Sequence, residues 1–436
     1  MTNILLIGSG AREHALAEAI TNSKQKPRLF SYMKSKNPAI AKMSESVELG
    51  DYDKLEEIKS FAEANAIDFA VIGPEAPLAA GVVDALEEIN IKSVGPCKEL
   101  AQLETSKSFT RLLMKKYNMP GMPEFKVFES LEGVREFIQE LQTNIVIKPD
   151  GLTGGKGVKV QGDHFQTEEE AYQYCEEVLK EHRALLIEEK LVGEEFSLQS
   201  LTDGKHILDF PPVQDHKRAF VGDKGPNTGG MGSYSTGKLL PFMTEEDLIQ
   251  AHEITSLMAE AIYKETGKYY KGVMYGGFIC TKDDVKLIEY NARFGDPEAM
   301  NVLPLLKTDF VDICKAVIDG TLNKIKPQFS DAATVCKYVV PEGYPNFPVV
   351  NQKIELKDVS KKARIYYASV DQKPDGLYMS SSRAVAFVGI HPNIEEAEVI
   401  AEDAVSSVKG PVFHREDIGT KELIDKRVRH MEKLRG

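Results

Sequence analysis

The chain has 436 residues, room for about three domains at roughly 150 residues each, with 42% hydrophobic and 28% charged residues, an ordinary globular balance. Its formal net charge of −13 argues against nucleic acid or an anionic membrane as the main partner, since either asks for a basic face, but leaves room for small phosphorylated ligands held by local cations and N–H groups. Cys97, Cys175, Cys280, Cys314 and Cys336 are odd in number and form no CxxC pair, which speaks against a disulfide framework or zinc knuckle and for a reducing, cytoplasmic setting.

The N-terminal apolar run is too short for a signal peptide, and no run of about 18 apolar residues marks a membrane span. Residues 4–7 read as a buried strand, Gly8-Ser9-Gly10 as a turn and 12–20 as a helix. Strands at 28–32 and 69–72 alternate with helices at 54–64 and 82–88, the rhythm of a doubly wound parallel sheet. The rhythm changes at Gly95-Pro96. An amphipathic helix follows at 107–117, with Phe109, Leu112 and Leu113 on its apolar side, and Pro120 and Pro123 break the chain. A small α+β unit spans about 125–190, with a helix at 168–180 and a strand at 184–188. A long polar loop covers 211–236; loops of that length are usually functional or disordered. A helix at 245–264, a strand pair at 273–281 and 285–290 and a helix at 310–318 form a third unit. The last part reads as a separate α+β domain, with strands at 334–340 and 384–390 and a helix at 394–408.

Gly8-Ser9-Gly10 fails the dinucleotide fingerprint: Glu13 stands at the third glycine position, and no acidic residue ends the second strand. What remains is a phosphate cradle at a helix N-terminus, or a plain tight turn. Glu75 lies at the carboxyl end of a strand, where open α/β sheets bind ligands. The stretch 146–158 carries Lys148 on a strand, then Gly151, Gly154, Gly155, Lys156 and Gly157. It is one residue too short for a Walker A loop, and Gly157 stands where that loop has a hydroxyl. Four glycines within seven residues still suit a hairpin folded over phosphates. In Leu287-Ile288-Glu289-Tyr290-Asn291 the alternation turns Glu289 and Asn291 to one face, hard oxygen ligands for Mg2+ on nucleotide phosphates, with Arg293 just beyond. Lys217 and Arg218, with the glycines of 225–232, suit a triphosphate and an acyl phosphate. Lys107 opposes the dipole of its own helix, as it would beside an anionic ligand.

Taken in order, the blocks 8–15, 71–78, 147–158, 214–218, 225–234 and 289–298 resemble the glycinamide ribonucleotide synthetase (phosphoribosylamine–glycine ligase) family of the ATP-grasp superfamily, with looser matches at 343–345 and 415–419. The resemblance implies an N-terminal substrate-binding domain (1–104), an ATP-grasp core (105–123 with 192–325), a small lid (124–191) and a C-terminal α+β domain (326–436). It implies ATP-dependent ligation of glycine to 5-phosphoribosylamine through glycyl phosphate, in purine biosynthesis, with Mg2+ or Mn2+, in a cytoplasmic monomer or dimer without nucleic-acid or membrane partners. Lys148, Lys217, Arg218 and Arg293 are the expected catalytic residues. ATP falls to Lys107, Lys148, Gly151, Gly154, Gly155, Lys156, Gly157, Glu188, Glu189, Leu191 and Glu195, and metal to Glu289 and Asn291. The substrates fall to Gly8, Ser9, Gly10, Glu13, Glu75, Asp215, Gly229, Gly230, Met231, Arg293, Pro297 and Glu298. Related enzymes often place a further metal ligand about twelve residues before the glutamate; here that position is Gly277. The competing readings are another ATP-grasp ligase such as a biotin-carboxylase-like protein, a nicotinamide-dependent oxidoreductase built on Gly8–Gly10, and a non-catalytic binding relative.

Overall fold

The computed structural model describes residues 1–436 except 142, 153–156 and 357–358. Near the N-terminus, apolar runs too short for helices form five parallel strands: β1 (Asn3–Ile7), β2 (Arg28–Met33), β3 (Ser46–Leu49), β4 (Phe69–Ile72) and β5 (Lys92–Val94). Their order is β3-β2-β1-β4-β5. β1 and β4 are buried at every residue, as expected of strands covered on both faces. The helices of this unit are α1 (Ala11–Thr21), α2 (Pro38–Met43), α3 (Leu55–Ala64), α4 (Glu75–Ala80) and α5 (Val82–Glu88). The doubly wound sheet is thus present, with β3, β5, α2 and α4 added to the elements legible in the sequence. The strand order reverses between β1 and β4, so Gly8–Gly10 and Glu75 open side by side at the switch point.

Two helices, α6 (Gln102–Thr105) and α7 (Lys107–Lys116), lead onward. The Ser106 hydroxyl caps α7 by accepting the Phe109 N–H at 3.1 Å. Leu113, Met114 and Arg111 are buried beneath α7, whereas Leu112, expected on the apolar side, is 51% exposed. Next comes a small antiparallel sheet in the order β6-β9-β7-β8, made of β6 (Phe125–Phe128), β7 (Ile145–Pro149), β8 (Lys159–Val160) and β9 (Leu185–Glu189). Its helices α8 (Val134–Glu140) and α9 (Glu168–Glu181) cover one face and share a core with Ile145, Ile147, Leu185 and Ile187. Alternation therefore turns Val146, Lys148, Leu186 and Glu188 to the opposite face.

The third unit begins with β10 (Glu194–Thr202) and β11 (Ile207–Asp209). The stretch 211–236, expected as a loop, instead holds four short strands: β12 (Gln214–Asp215), β13 (Arg218–Phe220), β14 (Lys224–Asn227) and β15 (Gly232–Ser235). Its glycine-rich, polar composition shows no period, yet buried backbone must find hydrogen bonds, and it finds them in a β13–β14 hairpin and in pairing of β15 with a later strand. Then follow α10 (Glu245–Thr266), β16 (Gly272–Cys280), β17 (Val285–Asn291), α11 (Ala299–Val302) and α12 (Phe310–Asp319), with the sheet ordered β11-β10-β16-β17.

The C-terminal part contains β18 (Ala333–Pro341), β19 (Lys353–Ile354), β20 (Arg364–Tyr367), β21 (Val370–Lys373), β22 (Gly376–Met379), β23 (Val385–His391), α13 (Ile394–Ser406), β24 (Val412–Phe413) and α14 (Lys421–Arg435). Its main sheet runs β12-β15-β18-β23-β20, so the polar stretch from the third unit is built into the C-terminal sheet. Among the described residues no helix is long and apolar enough to cross a membrane.

Candidate active site

The expected pair Glu289 and Asn291 sits at the end of β17. Gly277 pairs with Glu289 but Phe278 pairs with Leu287, so Ile288 is an extra residue, a β-bulge. Before the bulge Val285 and Leu287 face the core; after it Tyr290 and Ala292 do. Glu289 and Asn291 are thereby turned out together. Gly277 lies directly across from Glu289, and a Cβ there would come within 3.4 Å of the Glu289 Cγ. The position at which the resemblance led a further metal ligand to be expected thus carries no side chain beside the carboxylate.

Three lysines approach this carboxylate from three elements. Lys217, on the β12–β13 connection, brings its Nζ to 3.6 Å from Glu289 Oε1. Lys148, on β7, donates from Nζ to the bulged Ile288 carbonyl at 3.1 Å. Lys107, at the start of α7, donates to the Gly151 carbonyl at 2.8 Å and so touches the glycine loop. Burial alone raises the Glu289 pKa, but the charges of Lys217, Lys148, Lys107 and Arg293 outweigh it and hold the carboxyl below its usual range. Burial pushes the Lys107 ammonium down, and Lys148 adds to that. For Lys217 the surrounding carboxylates overcome burial, and its pKa is raised.

Lys148 is not free to wander. Its Nζ is 2.7 Å from Glu188 Oε2, and Glu188 in turn accepts from Arg111 Nε at 2.7 Å and Nη2 at 3.2 Å. Arg111 Nη2 also donates to the Leu287 and Ile288 carbonyls at 2.9 and 2.8 Å. One guanidinium therefore joins the small sheet to the bulge of β17. Burial opposes ionisation of Glu188, but the charges of Arg111 and Lys148 hold it down at about 2. The sequence reading placed Glu188 against adenosine; its carboxylate is closed off here by two cations. Arg111 was missed because a single arginine on an amphipathic helix reads as a solvated side chain.

At the switch point, Glu13 folds back into the Gly8–Gly10 turn. Its Oε2 accepts the Gly10 N–H at 2.6 Å and its Oε1 accepts from Arg12 Nε at 2.5 Å. A Cβ at Gly8 would lie 2.4 Å, and one at Gly73 2.3 Å, from the Glu13 Cγ, so both turns are glycine to admit this side chain. One N–H of the expected phosphate cradle is therefore already engaged by the chain. Arg293 bridges this region to β17. It lies 3.4 Å from Glu75, 3.3 Å from Glu104, and donates to Asn291 Oδ1 at 3.2 Å.

A further cluster links these places. Asp215 accepts the His216 N–H at 2.7 Å, and Tyr275 donates from its hydroxyl to Glu298 at 2.6 Å. Burial, helped by the charge of Glu298, raises the Asp215 pKa well above the carboxylate range. A Cβ at Gly230 would meet Pro297 at 2.6 Å and Asp215 at 2.7 Å. Arg383, in the C-terminal part and absent from the sequence-based set, donates from Nη1 to the carbonyls of Gly229 (2.8 Å), Gly230 (3.0 Å) and Asp296 (2.9 Å). Only the fold brings it here, since 382 and 384 carry no motif.

The remaining expected residues are more dispersed. Arg218 points away from Glu289, to the Gly225 carbonyl at 2.9 Å and to Asp163 of the small unit at 2.8 Å. Met231 is fully buried; its N–H donates to the His216 carbonyl, and its own carbonyl accepts the Tyr338 N–H. The Ser9 carbonyl accepts from Asn37 at 3.1 Å. The Gly157 carbonyl accepts the Tyr174 hydroxyl at 2.6 Å, and Glu189 accepts the Glu124 N–H at 2.9 Å. Glu195 is exposed at the start of β10, and Leu191 lies between β9 and β10. Gly154, Gly155 and Lys156 fall outside the described residues.

Comparison with known proteins gives three matches in succession along the chain. Residues 2–104 match the phosphoribosylglycinamide synthetase N domain, 105–299 its ATP-grasp (A) domain and 334–421 its C domain. The phosphoribosylamine–glycine ligase of Methanosarcina barkeri is 50% identical over 434 residues, covering 99% of this chain and 100% of that protein. That of Methanocaldococcus jannaschii is 51% identical over 443 residues, covering 99% of each. The crystal structure of phosphoribosylamine–glycine ligase from Thermotoga maritima superposes with a TM-score of 0.81 at 28% identity, covering 95% of this chain and 100% of that one. A biotin carboxylase domain from Hydrogenobacter thermophilus shares the fold, with a TM-score of 0.74 at 16% identity over 99% of this chain and 97% of that one.

Proposed function

The chain belongs to the phosphoribosylglycinamide synthetase family, and from that premise we propose how its residues divide the ligation of glycine to 5-phosphoribosylamine. It is an ATP-dependent ligase; the products are glycinamide ribonucleotide, ADP and phosphate, in purine biosynthesis. The observation that carries the site assignment is the approach of Lys107, Lys148 and Lys217, from three separate elements, to Glu289.

A carboxylate is a poor electrophile until one oxygen can leave as phosphate. A glycine carboxylate oxygen takes the γ-phosphoryl group as the bond to the β-phosphate oxygen breaks, giving glycyl phosphate and ADP. The amine of phosphoribosylamine then attacks the carbonyl carbon, phosphate leaves with the former carboxylate oxygen, and the amine loses its proton. No side chain has to become a covalent nucleophile. The protein's work is to position reactants and neutralise charge. Lys148, held by Glu188 and Ile288, and Lys107, against the glycine loop, face the phosphates. Lys217 stands 3.6 Å from Glu289.

Glu289, kept ionised, and Asn291 offer two hard oxygens on one face, which fits Mg2+ or Mn2+ held by few protein ligands and completed by phosphates and water. Such an ion, when bound, neutralises charge that builds up on the phosphoryl oxygens. Because Arg111 and Lys148 close off the Glu188 carboxylate, adenosine contacts fall to Leu191 and the exposed Glu195. Residues 124–191 act as the lid over ATP. Asp215, Glu298 and the Gly229–Gly230 turn flank the acyl site, and Gly8–Gly10, Glu75 and Arg293 take phosphoribosylamine. ADP release with phosphoribosylamine generated in situ tests this reading. It is expected to require glycine and the amine together; turnover that ignores either one, or that prefers bicarbonate, would overturn it.

A further inference from the structure

Lys217 stands on a connection between two-residue β12 and three-residue β13, with no core of its own, yet its ammonium must stay at Glu289. The groups that hold this connection come from the far end of the sequence. Arg415 is 0% exposed. Its Nε and Nη2 donate as a fork to Asp417 at 2.9 and 2.8 Å. Its Nη1 donates to Asp223 Oδ1 and to the main-chain carbonyl of Arg218, each at 3.1 Å. Asp417 also accepts the Gly222 N–H at 2.9 Å. Asp223, in the β13–β14 turn, takes a second cation, Arg427 of α14, whose Nη1 lies 3.3 Å from Glu194 at the start of β10. Beneath this layer Lys337, also 0% exposed, donates to the Glu416 carbonyl at 2.7 Å and is clamped by Glu398 and Glu402 of α13 at 2.6 and 2.5 Å.

A buried guanidinium is tolerable only where its charge meets carboxylates and its N–H groups meet acceptors. Arg415 meets both conditions, and one acceptor is the carbonyl of the residue next to Lys217. A plain surface hairpin would need no such anchor. On the other side of Lys217, His216 is buried and kept neutral: burial and the charge of Arg415 push it down to about 3. Lys217 is thus flanked by one pinned carbonyl and one packed, uncharged ring.

We propose that Arg415 is a positioning residue for Lys217: through the Arg218 carbonyl and Asp223 it holds the β12–β13 connection so that the ammonium stays at Glu289. This rests on the assignment of Lys217 to the phosphoryl-transfer site. The C-terminal segment is then a working part of the nucleotide half of the enzyme.

The test uses two variants of the full chain. Arg415→Lys keeps the charge but loses the planar fork. Asp223→Asn removes the charge at a half-buried turn residue whose left-handed backbone, φ 58°, asparagine accepts readily. Each is measured for kcat, for KM of ATP and glycine, and for thermal unfolding. Both variants are expected to lose about tenfold or more in kcat, because small displacements of a charge-stabilising group are costly, while KM for ATP moves less than about threefold. Folded variants with kcat and KM like the parent would overturn the proposal, whatever their unfolding midpoints. Should Arg415→Lys fail to fold, Asp223→Asn decides by the same criterion. A parent inactive on glycine and phosphoribosylamine would contradict the functional reading; an active parent with unaltered variants contradicts only the role of Arg415.

Discussion

The Gly8–Gly10 turn and the end of β17 both set a carboxylate beside cations, but they hold it differently. At the turn Glu13 makes contacts of 2.5 and 2.6 Å, and Gly8 and Gly73 lack the Cβ atoms that would push its side chain aside. At β17 Glu289 stands 3.6 Å from Lys217, and Arg293 stands 3.4 Å from Glu75 and 3.3 Å from Glu104. Charge-assisted hydrogen bonds close to about 2.7–2.9 Å when nothing prevents it. The short pairs, Glu13–Arg12 and Arg111–Glu188–Lys148, are scaffold. On the proposed reading, the longer pairs at Glu289 and Arg293 are where a charged ligand enters between the partners. Lys148 belongs to both classes, since a short pair fixes it at the edge of the open region.

The sharpest way to test that division is to remove Lys148. Lys148→Ala should lower the ligase rate by at least about a hundredfold, as for loss of one preorganised charge-stabilising donor, while the protein stays folded because Arg111 still pairs with Glu188. Steady-state ADP release measures it; a loss of less than about threefold would dissolve the distinction. Glu289→Gln comes next. The rate should fall at least about tenfold, and the divalent-metal concentration for half-maximal rate should rise. If that concentration stays fixed, Glu289 does not face the metal.

The scaffold class answers to stability instead. Arg111→Met leaves Glu188 buried with one cation fewer and should cost about 3 kcal/mol in urea unfolding, as for other broken buried pairs. Glu188 also gives a pH dependence. Its folded value of about 2 lies below the ordinary 4.5, so its stabilisation is complete above about pH 4.5 and is lost as the pH falls toward 2. The full effect is about 3 kcal/mol. Between pH 5 and pH 3 the parent should therefore lose more stability than Glu188→Gln does. The smallest effect belongs to Arg218–Asp163, whose side chains are 26% and 45% exposed. Asp163→Asn should change unfolding by no more than about 1 kcal/mol, because this short pair is solvent-screened; a larger change would show that exposure does not weaken it.

Much of this was legible in the sequence. The strands β1, β2, β4 and β17 carry clean apolar patterns, and the facing of Glu289 with Asn291 followed from alternation alone. The bulge at Ile288 did not, because an inserted residue leaves no mark on composition. Leu112 was placed inside by its chemistry, but the buried side of α7 turns on Arg111, whose value depends on Glu188, 77 residues away. Strands of two to four residues in 211–236 carry too little period to recognise, and α14, dense in Lys, Arg, Asp and Glu, shows its apolar stripe only when β10 is set beside it. Arg383 and Arg415 lie far along the chain from the motifs they serve, and no spacing rule connects them.

The central claim is that glycine is activated by phosphorylation of its carboxylate between Lys148, Lys217 and Glu289. Glycine labelled with oxygen-18 in the carboxylate tests it directly, with mass analysis of the phosphate released during ligation. The account predicts one labelled oxygen per phosphate, appearing at the rate of glycinamide ribonucleotide and slowed alike by Lys148→Ala. Phosphate that carries no label while product still forms would contradict it.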